Sequence, residues 1–104
     1  TREFFPRYAL GDRFPPVMRD VAIIVPKGKS ADSVLGDIKR LASPLVCSIR
    51  LFDVYEGQGI PEGQRSLAFS LEYRSPERTL SDEEVEEHHR NLRAALSREG
   101  YIVR

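Results

Sequence analysis

The sequence predicts an α+β domain of order βαββαβ, in which two helices cover one face of a four-stranded antiparallel sheet. Three features carry this prediction. A β-branched run closed by proline, RDVAIIVP (residues 19–26), is followed by apolar residues at helical spacing. RSLAFSLEY (residues 65–73) alternates large and small or polar side chains with strand period. TLSDEEVEE (residues 79–87) opens with the signature of a helix N-terminus.

Residues 1–18 mix aromatics, arginines and prolines with neither period, so residues 1–13 are expected to form an extended arm and residues 14–104 the domain. Arg19 to Pro26 reads as a buried strand. From Ser30 to Leu45, Val34, Leu35, Ile38, Leu41 and Ala42 recur at three and four, which places them on one helical face that Pro44 ends. The next strand, Val46 to Tyr55, has a broken alternation: Ile49 and Leu51 share one parity, Phe52 and Val54 the other. A β-bulge near Leu51 and Phe52 turns both pairs inward and leaves Arg50, Asp53 and Tyr55 on the opposite face. After the Gly/Pro loop EGQGIPEGQ, Leu67, Phe69, Leu71 and Tyr73 must face the helices, and Ser66, Ala68, Ser70 and Glu72 the other side.

Ser81 and Glu84 have capping-box spacing, Leu80 and Val85 that of a hydrophobic staple, and the acids just inside suit the helix dipole. Val85, Leu92 and Leu96, with one of His88 and His89, give the buried stripe. Gly100 stops this helix and Tyr101 to Val103 makes the last strand. The order is that of the ferredoxin-like split βαβ fold, which leaves one sheet face bare.

Composition narrows the function. The chain has 104 residues, 40% hydrophobic and 31% charged, which suits one globular domain. It has no apolar run of membrane-spanning length, and its N-terminus lacks the apolar core of a signal peptide, so a cytoplasmic location without a membrane partner is expected. The chain starts at Thr1, and a fragment of a longer polypeptide is expected. Cys47 alone closes no internal disulfide and is expected to be a small core residue. Net charge is zero but uneven: nine Lys/Arg against five Asp/Glu in residues 1–50, seven against eleven in residues 51–104. That balance argues against strong nonspecific nucleic-acid binding and leaves room for a positive patch away from the acids.

Several chemistries fail on geometry. Adjacent helical residues such as His88 and His89 point ~100° apart and do not readily share one ion. The acids of DEEVEE are accounted for by capping and dipole. Glycines 57, 59 and 63 neither spell a dinucleotide fingerprint nor open a helix. VPKGKSAD after the first strand lacks the glycine-rich, arginine-bearing anion loop of acylphosphatases. RSLAFSLE is similar to the third strand of an RNA-recognition motif, but parity turns Leu67 and Phe69 inward, where that motif needs its aromatics outside.

Taken together, FPPVMRDVAIIV, LFDVYEGQGIPEGQRSLAFSLEYR, PERTLSDEEVEE and the C-terminal arginine resemble the ferredoxin-fold anticodon-binding domain at the C-terminus of the β subunit of bacterial-type phenylalanyl-tRNA synthetases, across about residues 14–104. The resemblance implies a domain that grips the anticodon loop of phenylalanine tRNA. It implies no cofactor in the domain itself; ATP and magnesium serve the whole enzyme, whose active site lies elsewhere in an (αβ)₂ heterotetramer with the rest of the β subunit and the α subunit. The family's aspartate and tyrosine fall on Asp53 and Tyr55, and its serine on Ser66. The tyrosine is expected to stack the first anticodon base, and the aspartate and serine to hydrogen-bond other anticodon bases. Ala68 extends the floor beneath them. Arg19 joins them as an RNA-binding residue, with Met18 where the family often has a second arginine. A floor of small residues beside an aromatic and short polar groups also suits unstacked bases on physical grounds. The competing reading is a small-molecule or protein-interaction module using the same bare face. Salt separates the two, because RNA binding weakens steeply as salt rises.

Overall fold

In a computed structural model of the chain, residues 15–104 are described. The arm expected for residues 1–13 lies outside them. The elements are β1 (Val17–Pro26), α1 (Ala31–Leu41), β2 (Val46–Tyr55), β3 (Gln64–Tyr73), α2 (Asp82–Arg98) and β4 (Ile102–Val103). The strands form one antiparallel sheet in the order β2-β3-β1-β4. This is the ferredoxin-like α+β arrangement predicted from the sequence.

Alternation sets the two faces. Val21, Ile23 and Val25 of β1 stand opposite Phe69, Leu67 and Arg65 of β3. They pack with Leu71 and Tyr73 against Val34 and Ile38 of α1 and Val85, Leu92 and Leu96 of α2. Ile23, Leu67, Phe69, Leu71 and Tyr73 are fully buried, each such side chain contributing about 1.5–3 kcal/mol. Met18, Asp20, Ala22 and Ile24 take the other face of β1, opposite Glu72, Ser70, Ala68 and Ser66.

Both helices start as their sequences specify and end by different devices. Ser30 caps α1, its hydroxyl accepting from the Ser33 amide at 3.1 Å. The helix stops at Leu41, earlier than the apolar spacing implies, because Ala42 is already extended (ψ 155°). Pro44 disfavours helical geometry at Ser43, and the last turn gives way before it. Ser81 caps α2 through the Glu84 amide, and Leu80 and Val85 are both buried beside it. The reciprocal half of the capping box is absent, since the Glu84 carboxylate instead pairs with both terminal nitrogens of Arg78. At the far end Tyr101 N–H donates to the Leu96 carbonyl and Gly100 N–H to that of Ser97, a Schellman closure that needs the positive φ (100°) of Gly100.

Of the two adjacent histidines, His89 is the buried one. Its Nε2 lies 2.9 Å from the Asp20 carbonyl oxygen and its Nδ1 2.9 Å from the Tyr73 hydroxyl. A carbonyl only accepts, so Nε2 carries the proton and Nδ1 accepts from Tyr73. Both nitrogens of a neutral ring are thereby used. Burial holds the imidazole below its ordinary pKa of 6.5 and pushes the Tyr73 phenol up to about 12. The sign follows: as pH falls through about 6.5 the unfolded chain takes up a proton that folded His89 refuses, so stability is flat above that pH and declines below it. Denaturant melts between pH 7.5 and 5 are expected to show stability declining below about 6.5, with a slope from this one group bounded by the one-proton limit of about 1.4 kcal/mol per pH unit. Removing the imidazole should flatten the profile.

Two readings of β2 need correction. The pairing slips between Leu51 and Asp53, so the bulge lies where the broken alternation put it. It restores the facing of the strand without burying all its apolar residues: Ile49 and Leu51 pack on the core, but Phe52 and Val54 stay 46% exposed. β2 is an edge strand, and α1 contacts it near Val46–Ile49, where Lys39, Ala42 and Ser43 face that stretch across a shared cavity. A second slip, between Val46 and Ser48, leaves Cys47 exposed rather than in the core. Its thiol points at the Glu72 carbonyl at 3.5 Å, and local desolvation pushes its pKa up to about 11.

Candidate nucleic-acid interface

The face without helices is crossed by transverse rows of paired residues from three or all four strands. Tyr55 stands opposite Ser66, Ser66 opposite Ile24, and Ile24 opposite Ile102. The neighbouring row runs Asp53, Ala68, Ala22, and the next Arg50, Ser70, Asp20. Paired residues of an antiparallel sheet share a face, so Asp53, Tyr55, Ser66 and Ala68 are brought together on adjoining strands. The bulge makes this possible. Were Phe52 paired in regular register instead of bulged out, Asp53 and Tyr55 would point toward the helices.

The members differ in character. Tyr55 is 42% exposed, and its hydroxyl donates to the Gln58 carbonyl at 3.0 Å. That bond anchors the far end of the ring and leaves aromatic surface open. The loop passes the hydroxyl at Gly57, whose φ of 127° suits glycine. Asp53 is exposed. Ser66, Ala68, Ser70 and Ala22 make a flat central floor with no side chain larger than a hydroxymethyl group.

Ser66 is not the open position that alternation alone implies, for it is only 4% exposed. The Arg104 guanidinium reaches it, Nη1 standing 3.5 Å from Oγ, at the outer limit of a hydrogen bond. The backbone of Arg104 is held at both sides: its amide donates to the Ala22 carbonyl at 2.8 Å, and its carbonyl accepts from Arg93 Nη2 at 3.0 Å. Arg104 thus sets a cation over the floor, a residue that sequence reasoning did not single out as part of the site. The available signal was alternation, since Ile102 and Arg104 flank the inward Val103.

Arg19 does not join this group. It stands opposite Leu71, on the helix side of β1. There its Nε donates to Glu86 of α2 at 2.6 Å, and Nη2 lies 3.7 Å from Asp82. Part of the acidic run that opens α2 is thus spent on Arg19 across the helix–sheet junction. Among the described residues no group of three or more His, Cys, Asp or Glu could hold a metal ion, and no helix is long and apolar enough to cross a membrane.

A sheet face left uncovered by helices among the described residues, with an anchored aromatic, short polar groups, a small-residue floor and a cation, has the make-up of a surface for unstacked nucleobases. Comparison of the chain with known families matches the ferredoxin-fold anticodon binding domain over residues 12–104, and the chain belongs to that family. The relatives it matches are phenylalanine–tRNA ligase beta subunits. That of Geobacillus kaustophilus (strain HTA426) is 44% identical over 99 residues, covering 94% of this chain and 12% of the relative. Those of Moorella thermoacetica (47% over 91 residues) and Synechococcus sp. strain JA-3-3Ab (48% over 85 residues) cover 88% and 82% of this chain. The chain spans about a tenth of the length of these relatives.

Proposed function

We propose that this chain is the anticodon-reading module of a phenylalanine–tRNA ligase beta subunit and binds the anticodon loop of phenylalanine tRNA on its open sheet face. The observation that carries this reading is the shared facing of Tyr55, Asp53, Ser66 and Ala68, produced by the bulge at Phe52. Tyr55 offers its ring to one base, Asp53 accepts from base amines, and Ser66 exchanges hydrogen bonds above a floor flat enough for bases to lie on. Arg104 supplies a cation to the sugar–phosphate chain or to a base edge. Arg19, turned to the helices, acts on RNA only if it leaves Glu86.

The module has no chemistry of its own. Attachment of phenylalanine to tRNA, with ATP and magnesium, belongs to the remainder of the ligase in the cytoplasm. That remainder is the rest of the beta subunit together with an alpha subunit in an (αβ)₂ assembly. With a net charge of zero, the module contributes base recognition more than phosphate attraction, so the isolated chain should bind weakly and gain strength by tethering to the larger enzyme.

The deciding experiment is titration of the chain with phenylalanine tRNA and with the same tRNA carrying a different anticodon. Weaker binding to the altered tRNA is expected, and equal binding would sink the reading. Ser66 supplies a second measurement. Ser66→Ala should keep the melting temperature and lose on the order of 1 kcal/mol of RNA affinity, one hydrogen bond's worth. Ser66→Leu should cost RNA binding by bulk and also ~1–3 kcal/mol of stability, because the position is buried against Arg104. Normal RNA binding by the leucine variant would remove Ser66 from the site.

A further inference from the structure

The row through Tyr55 and Ser66 does not end at the floor. It continues through Ile24 to Ile102 and reaches a groove of about 470 Å³ lined by these two residues, Lys29, Gln64 and Tyr101, with Asp37 and Glu99 at its wall. The volume lies in the ~300–1,000 Å³ range of small-ligand sites. Ile102 is 53% exposed although it belongs to the sheet, and with Ile24 it gives the groove an apolar side continuous with the open face.

The polar side is set by partners already made. Asp37 accepts from the Tyr101 hydroxyl and from Arg40 at 3.4 Å, and Glu99 accepts from Arg40 at 3.0 Å. The two carboxylates thus share the one charge of Arg40. Lys29 lies over the Tyr101 ring, 5.3 Å from its centroid, and among the described residues its ammonium has no carboxylate within ion-pair distance. A strongly hydrated ammonium without a direct ion pair, its charge felt at Asp37 but its donors free, beside an apolar wall suits a ligand with a phosphate at one end and a flat apolar surface at the other.

We propose that this groove is a second nucleotide subsite, which takes an unpaired loop nucleotide flanking the anticodon, with its base against Ile24 and Ile102 and its phosphate on Lys29. The proposal rests on the open face being the RNA surface. Three interstrand spacings separate Tyr55 from Ile102, ~14 Å or about four stacked-base steps of ~3.4 Å. Three bases beginning at Tyr55 therefore end before the groove, and the nucleotide that fills it lies outside the triplet.

The test uses the 104-residue chain and the phenylalanine tRNA anticodon stem-loop, with an abasic nucleotide at each loop position in turn. Ile102→Ala, Lys29→Gln and Tyr55→Ala are each titrated against the set. Ile102→Ala should weaken binding several-fold, with the loss vanishing when one nucleotide outside the anticodon is abasic. Lys29→Gln should lower the slope of log affinity on log salt by about 0.7, one single-strand phosphate contact. If Tyr55→Ala weakens binding but Ile102→Ala and Lys29→Gln do not, or if Ile102 responds to an anticodon nucleotide, the subsite is overturned and the anticodon reading stands. If no variant changes binding, the anticodon reading fails and the subsite goes with it.

Discussion

Replacing His89 with leucine is expected to lower the unfolding free energy by about 2–5 kcal/mol at pH 7.5, although the two side chains have similar bulk. The imidazole satisfies a buried group and a part-buried one at once, accepting from the Tyr73 hydroxyl and donating to the Asp20 carbonyl. Leucine fills the space and leaves both without partners, at about 1–3 kcal/mol each. Tyr73→Phe removes one of the two bonds and should cost about 1–3 kcal/mol, because Nδ1 then faces no donor. The double variant should lose less than the sum of the singles, since the shared hydrogen bond can be broken only once. Urea titrations of the four proteins give these values. A leucine variant as stable as the parent would mean that His89 is not the partner of Asp20 and Tyr73.

Tyr55→Ala is expected to cost about 1–3 kcal/mol of affinity for phenylalanine tRNA, a factor of roughly five to 150, while the fold survives. The ring is 42% exposed at the end of an edge strand, and its one hydrogen bond, to the Gln58 carbonyl, ties the loop rather than the core. Its removal should cost stability about 1 kcal/mol at most. Tyr55→Phe separates the two roles: it keeps the stacking surface and should hold most of the affinity while the loop loses its anchor. Fluorescence titration with the tRNA, beside a melting curve for each variant, reads both effects. Unchanged affinity in the alanine variant would exclude Tyr55 as a stacking platform.

What could be read from the sequence was whatever alternation or capping dictates locally. Leu67, Phe69, Leu71 and Tyr73 announce the inner side of β3, and the conflict between Ile49 and Val54 announces an extra residue between them. The facing of Arg19 was not legible, because both parities of VAIIV are apolar and neither declares which side meets the helices. The burial of Ser66 was hidden for a different reason, as it involves a residue 38 positions away that reaches it from β4 across β1. Cys47, Phe52 and Val54 look like core residues by composition. Their exposure follows from edge position and helix reach, which are properties of the assembled sheet. The candidate site combines both kinds of information: its facing follows from the strand pattern, and the placing of Arg104 depends on the third dimension.

The bulge at Phe52 also makes the pairing of β2 a matter of odd and even. Without Phe52 the strand would alternate regularly and Asp53 and Tyr55 would keep their facing, whereas Phe52 drawn into regular pairing would turn Tyr55 and Asp53 under the sheet and bring Val54 out. Composition would not change and the hairpin would still close, yet the surface offered to a ligand would be a different one. A lineage of such domains is therefore free to vary many side chains of this strand, and even to lose Phe52, provided that Asp53 stays opposite Ala68 and Tyr55 opposite Ser66.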